Sequence, residues 1–211
     1  MALMFVFLCA CNSSDATDPT DTDAATDEAV QSMPETLPAE ATTADSIGAD
    51  EVDSATFMTI YFSHTDPVKL AAEYINENAE GDIYRIETLK EYPEDEQALA
   101  EEIIYEKTNK VRPAILNMPT HLLDYDIIFL CFPSWGGSLP CAVSAFIENY
   151  DLRDRIIIPV VYGTEEELNN ATVEINSIFP GAMLINGYCF TSDFSDKQAD
   201  FDAWLNTVLY G

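Results

Sequence analysis

The sequence predicts a doubly wound α/β domain with a five-stranded parallel sheet in the strand order 2-1-3-4-5. Three observations carry this. Ile127 to Phe132 and Ile156 to Val161 are continuous apolar runs, the pattern of central parallel strands covered on both faces. Shorter strand-like runs and stretches of helical periodicity alternate with them from residue 56 onward, which implies right-handed β-α-β crossovers. Five strands in about 155 residues fit a sheet of this size, whose ligands gather at the carboxyl ends of strands 1 and 3.

The elements follow in order. Phe57-Met58-Thr59-Ile60-Tyr61-Phe62 is the first strand. Val68, Ala71, Ala72, Ile75 and Ala79 recur at helical spacing. Asp82-Ile83-Tyr84-Arg85-Ile86 is short and mixed in polarity, as an edge strand is. Glu94 to Lys110 is helical in composition, and its Glu101, Glu102 and Glu106 are expected on a solvated face. Val143, Phe146, Ile147 and Tyr150 mark a third helix, and Leu168, Ala171, Val173 and Ile175 a fourth. Ala182 to Phe190 reads as the last strand, interrupted at Asn186-Gly187. Phe201, Trp204, Leu205, Val208 and Leu209 form a C-terminal amphipathic helix, with Ser195 as its cap and Gln198 three residues on, as in a capping box.

Ahead of this domain the composition changes. Residues 12 to 56 hold 12 Asp or Glu and no Lys or Arg; the rest of the chain carries the other 26 acidic groups and all 9 basic ones, a balance of -17. The 211-residue chain has a net charge of -29 and is 47% hydrophobic, enough for a core. A chain this acidic repels phosphate backbones, which excludes nucleic acid as a partner. Asn12 to about Ala55 is rich in Asp, Thr, Ala, Ser, Glu and Pro and cannot bury enough apolar surface to offset its ordering entropy. It reads as a self-repelling tether that reaches on the order of 150 Å when stretched.

Residues 1 to 8, Met-Ala-Leu-Met-Phe-Val-Phe-Leu, are apolar but too short to span a bilayer, which takes roughly 20 residues. They look like the apolar part of a secretory signal, without the basic residues such signals carry near their start. Leu8-Cys9-Ala10-Cys11, followed by Asn12-Ser13-Ser14, resembles a bacterial lipobox. That resemblance implies lipidation of Cys11 and an extracytoplasmic chain anchored to a bacterial membrane; the alternative is an apolar N-terminal element with two incidental cysteines. Cys131, Cys141 and Cys189 have neither Cys-x-x-Cys spacing nor paired His ligands, so no metal site is expected, and buried thiols serving as small hydrophobes are the plainer reading.

Two loops lie at the predicted switch point, and a further one follows the fourth strand. Ser63-His64-Thr65-Asp66-Pro67-Val68 leads into a helix, whose converging N–H groups suit a phosphate. Pro133-Ser134-Trp135-Gly136-Gly137-Ser138-Leu139-Pro140 can set a flat ring beside a close-approaching backbone. Tyr162-Gly163-Thr164-Glu165-Glu166-Glu167 follows the fourth strand, its glutamates suited to a helix start. His64 and His121 read as exposed residues. No Gly-x-Ser-x-Gly or Walker loop is present.

At these residues the chain resembles the flavodoxin family, in its bacterial branch. Tyr61-Phe62-Ser63, Tyr92-Pro93-Glu94-Asp95, Arg112-Pro113-Ala114-Ile115, Asp124-Tyr125-Asp126, Phe132-Pro133-Ser134-Trp135-Gly136 and Phe179-Pro180-Gly181-Ala182 match its landmarks in order. The resemblance implies FMN as cofactor, with its phosphate on the first loop and its isoalloxazine ring stacked on Trp135. Gly136 would allow a peptide reorientation, and Tyr162 beside Gly163 would flank the ring. The family's first loop reads Ser-x-Thr-Gly-Asn-Thr. Here Ser63 and Thr65 stand, but Asp66, Pro67 and Val68 replace Gly, Asn and Thr, adding a negative charge and removing an N–H and a hydroxyl. Gly136 also stands where a second aromatic residue is common. Two functions follow as expectations. One is an FMN-binding electron carrier, or a NAD(P)H-dependent flavin or quinone oxidoreductase, that meets redox partners with basic docking surfaces. The other is a flavin-free binding module on the same fold.

Overall fold

The computed structural model describes residues 55–185 and 187–210. Cys11, the apolar segment before it and the acidic segment up to residue 54 lie outside the described residues.

Among the described residues there are six strands and five α-helices, alternating except where the sixth strand follows the fifth directly. They are β1 (Phe57–Tyr61), α1 (Asp66–Ala79), β2 (Asp82–Arg85), α2 (Glu96–Asn109), β3 (Ile127–Pro133), α3 (Cys141–Ile147), β4 (Ile156–Tyr162), α4 (Glu165–Ile178), β5 (Met183–Leu184), β6 (Tyr188–Phe190) and α5 (Phe194–Tyr210). All pairings between these strands are parallel, in the order β2-β1-β3-β4-β5, with β6 also on β4. This is the predicted doubly wound sheet.

The central strands are buried on both faces because their side chains alternate between two cores. Along β3, Ile128, Leu130 and Phe132 enter a cluster with Phe146 and Ile175 under α2, α3 and α4. Ile127, Phe129 and Cys131 enter a second cluster with Val68, Ile75 and Phe201 under α1 and α5.

The predicted last strand is two short pieces. Ile157 pairs with Leu184, but Val160 pairs with Tyr188, so the outer strand carries one extra residue between these pairs, a bulge. The bulge lies opposite Pro159, which has no N–H to offer. Gly187 passes so close that a Cβ there would stand 1.9 Å from the Pro159 carbonyl oxygen.

Two local expectations are corrected. Helix α5 begins at Phe194, so Ser195 lies within its first turn and does not cap it; Phe194 is itself buried, against Phe190 and Phe201. Glu106, expected on the solvated face of α2, is only 4% exposed.

Candidate functional site

The first loop leaves β1 level with the end of β2 and beside β3, which runs on to Pro133. Phe62 N–H donates to the Cys131 carbonyl (2.9 Å) and Ile86 N–H to the Tyr61 carbonyl (2.8 Å). Thr65 then takes the N-cap of α1 in an extended conformation, with no side-chain hydrogen bond to the helix. The Ser63 hydroxyl donates to the Thr65 carbonyl. Pro67 sits in the first turn and supplies no donor, while Asp66 places a carboxylate in that same turn. The Val68 side chain is 1% exposed, in the core. It cannot meet a ligand, so that position offers only its backbone.

The second loop is a tight turn. Trp135 N–H donates to the Ser138 carbonyl at 3.1 Å, and Gly136 and Gly137 have φ of 60° and 82°. Positive φ at both central positions is what a type I′ turn demands, and glycine meets it without strain. Two helices pin the turn. The Lys107 ammonium donates to the Ser138 hydroxyl (2.7 Å) and to the Leu139 carbonyl, and the Asn170 amide donates to the Gly137 carbonyl (3.0 Å).

Trp135 is not the open stacking ring that the resemblance implies. It is 7% exposed, edge-on to Phe62 at 5.0 Å and to Tyr92 at 4.8 Å. His64, half-buried, stands 6.3 Å from it. The first and second loops are therefore adjacent, but the indole is enclosed between them.

The third loop joins the second. Ser134 N–H donates to the Tyr162 carbonyl (2.9 Å), and Gly163 N–H to the Phe190 carbonyl (2.9 Å). Tyr162 is half-buried with its ring on Phe190. Glu165, Glu166 and Glu167 form the first turn of α4, where Thr164 and Glu167 make a reciprocal capping box. The Thr164 N–H, more than the Ser134 hydroxyl, holds the Glu167 carboxyl below the usual carboxylate range.

A cleft of about 840 Å³ opens at the carboxyl ends of β1 and β2. Ser63, His64 and Thr65 form one wall, and Phe62, Ile86, Tyr92, Leu99 and Leu116 give it an apolar bed. Much of the remaining lining is charged: Arg85 with Glu87, Glu91, Glu94 and Glu96. This differs from the β1/β3 crevice that strand order alone suggests. Pro133, Ser134, Trp135, Gly136, Gly137, Tyr162 and Gly163 are not among the described walls of this cleft; they build the neighbouring turn and helix start instead.

A family model for flavodoxins matches residues 56–208. The chain belongs to the flavodoxin family. Solved flavodoxin-like structures share its fold. A Bacteroides uniformis protein classed as a flavoprotein is 24% identical over 72% of this chain and 98% of its own, with a TM-score of 0.61. Its Bacteroides eggerthii counterpart is 22% identical over 71% and 98%, with a TM-score of 0.59. A Lactobacillus acidophilus flavoprotein, solved in complex with FMN, is 15% identical over 71% and 99%, with a TM-score of 0.56. None of the curated proteins compared matches the chain in sequence. At these identities the structural likeness concerns the flavodoxin fold.

Within this flavodoxin fold, two residues of the cleft region were not expected from sequence. Tyr92 reaches inward from the β2–α2 connection, and its hydroxyl donates to both carboxylate oxygens of Glu106, each at 3.0 Å. Burial raises the Glu106 carboxyl above its ordinary value, partly offset by the Tyr92 hydroxyl. Burial, with the Glu106 charge beside it, also raises the Tyr92 phenol. The available signal was helical spacing: Glu106 follows Leu99 and Ile103 on one face of α2, and both of those pack against the core.

Proposed function

We propose that the chain is a flavin-binding redox protein, with FMN as cofactor, which carries electrons at the outer surface of a bacterial membrane. Flavodoxin membership together with the cleft at the β1 and β2 ends supports the flavin part. The cleft's size falls in the roughly 300–1,000 Å³ range of small-molecule sites, and a fold relative was solved with FMN.

The residues fit the ring end well. Phe62, Ile86, Tyr92 and Leu116 offer apolar surface. They fit the phosphate end less well: Ser63, His64 and Thr65 line it, but Pro67 withholds a donor and Asp66 adds a charge of the wrong sign. FMN supplies the electron-transfer chemistry when bound, and the protein binds and orients it. The acidic surface steers partners with basic docking faces. NAD(P)H-dependent reduction of a flavin or quinone is a variant that uses the same cleft. The membrane location rests on Leu8-Cys9-Ala10-Cys11 and the acidic segment after it.

The second reading, a flavin-free binding module, is favoured by Asp66, Pro67 and the enclosed Trp135. Titration of the purified full chain with FMN separates the two. Quenched flavin fluorescence and co-elution of yellow colour at micromolar protein support the first, and a chain that stays colourless in excess FMN overturns it. Cys11→Ala tests the anchor independently: release of the chain from the membrane fraction is expected, and unchanged retention would count against lipidation.

A further inference from the structure

The turn after β3 takes its rigidity from outside itself. Gly136 and Gly137 are the most permissive residues a turn can hold, yet three successive positions are fastened by side chains of other elements. Asn170 of α4 donates to the Gly137 carbonyl at 3.0 Å. Lys107 of α2 donates to the Ser138 hydroxyl at 2.7 Å and to the Leu139 carbonyl. The lysine stem also covers Gly136: a Cβ there would stand 3.6 Å from the Lys107 Cγ and 3.8 Å from Ile103. A Cβ on Gly137 would meet nothing within 4 Å, so that part of the backbone lies open. The turn borders the cleft through Trp135, whose ring touches Phe62 and Tyr92.

Helix α2 does not itself require this arrangement. A lysine in the last turn of a helix favours it with its ammonium in water, where the side chain would also keep its rotamer entropy. Lys107 is instead 25% exposed, with the Glu174 carboxylate of α4 at 3.7 Å. The loop after β4 is tied to the same turn, because Ser134 N–H donates to the Tyr162 carbonyl and the Ser134 hydroxyl to Glu167. Among the described residues, Lys107 is the one basic side chain bonded to either loop, and the start of α4 beside them carries Glu165, Glu166 and Glu167.

We propose that Lys107 is the positioning residue of the loops after β3 and β4 where they meet the flavin ring, with Asn170 as its uncharged counterpart. Together they hold the Gly136–Gly137 backbone in place before a flat ring arrives, so that less ordering remains to be done on binding. This rests on the flavin reading above and assigns what holds its ring side. Full reduction of FMN takes up two electrons and one proton and leaves one added negative charge on the ring. The electrons come from the donor that loads the carrier, which is dithionite in the test below. A fixed ammonium at the turn favours that charge, and without it the neighbouring carboxylates stand uncompensated.

The test is FMN binding by the full chain and its variants in both oxidation states. Fluorescence quenching reads the oxidised form, and the shift in midpoint potential on binding, from dithionite titrations, reads the reduced one. Melting of the flavin-free chain runs alongside. K107M keeps the stem over Gly136 and removes the head, and is expected to weaken oxidised FMN by about tenfold and reduced FMN by about threefold more. N170A removes an uncharged pin, and both forms should weaken alike, by about threefold. K107R keeps charge and donors and should recover most of the preference for the reduced form. A merely structural lysine would lower the melting temperature and leave the ratio of the two affinities in place, so an equal loss of both forms in K107M overturns the assignment. If K107M fails to fold, N170A decides: wild-type affinity there overturns it. A wild type that binds FMN while K107M binds it equally well overturns this assignment alone. A wild type that takes up no flavin overturns the assignment together with the reading it rests on.

Discussion

The Ser134 hydroxyl donates to the Glu167 carboxylate at 2.8 Å, tying the turn after β3 to the helix after β4. The second Glu167 oxygen takes the Thr164 N–H, also at 2.8 Å. Gly163 leaves the room for this: a Cβ there would stand 2.8 Å from that oxygen and 3.0 Å from the Ser134 Cβ. Gly163→Ala should therefore destabilise the domain by about 1–3 kcal/mol through crowding, lowering the melting temperature by roughly 2–4 °C per kcal/mol at this size. In an E167A background the penalty should shrink. Equal penalties in both backgrounds would show that the carboxylate is not the obstacle.

Glu106 and Glu167 should give opposite pH signatures. The Glu106 carboxyl is raised in the folded chain, so its charged form burdens the fold. Its contribution becomes more favourable as pH falls through the raised value, and is complete below the unfolded value of about 4.3. The Glu167 carboxyl is lowered, so its contribution is present above that unfolded value and is lost as pH falls through the folded one. Urea unfolding at a series of pH values, wild type against E106Q and E167Q, reads both. The stability advantage of E106Q over the wild type should be greatest near neutrality and shrink on acidification. That of the wild type over E167Q should shrink in acid.

The first loop gives a prediction about selectivity. With Pro67 lacking an N–H and Asp66 in the same turn, the FMN phosphate adds little, and riboflavin should bind within about tenfold of FMN, since each charged hydrogen bond is worth about 1.5–3 kcal/mol. D66G/P67N should tighten FMN by about tenfold or more through a regained donor while leaving riboflavin unchanged. Val68 is best left in place, because its side chain is in the core. The double variant loses a favourable proline and a favourable acidic residue at a helix start, at a cost of about 1 kcal/mol in stability. Paired titrations with the two flavins, alongside melting curves, measure both effects.

Thr59 sits mid-strand in β1, 1% exposed, with its hydroxyl unpartnered. A buried donor left unmade costs about 1–3 kcal/mol, so Thr59→Val should raise stability by about 1 kcal/mol, seen as a higher urea midpoint at unchanged slope. A loss of stability would mean that the hydroxyl is satisfied in solution.

Most of the architecture was legible because the β3 and β4 runs admit one placement: Ile127 to Phe132 must bury both alternating faces, which only a central strand does. The helix start at Glu165 was legible from its three glutamates, which favour a first turn; its Thr164–Glu167 capping box was not read, and the box expected at Ser195 and Gln198 is not where the last helix begins. Trp135 was misread because an isolated Trp-Gly-Gly says nothing of what surrounds it; Phe62 and Tyr92, distant in sequence, decide that its ring turns inward. Glu106 was misread because charge outweighed spacing: Leu99 and Ile103 point the same way along α2. The position of the cleft was out of reach, since the β2–α2 connection that walls it has no regular period to read.

The displaced outer strand has a bearing on solubility. Sheet edges with long unpaired rows of N–H and C=O groups invite other chains to add on, which leads toward aggregates. Here the rim beyond β4 is cut by the Pro159–Gly187 contact into pieces of two and three residues, too short to template a foreign strand. Straightening that rim, by replacing Pro159 and removing the extra residue opposite it, would trade a local irregularity for a stickier molecule.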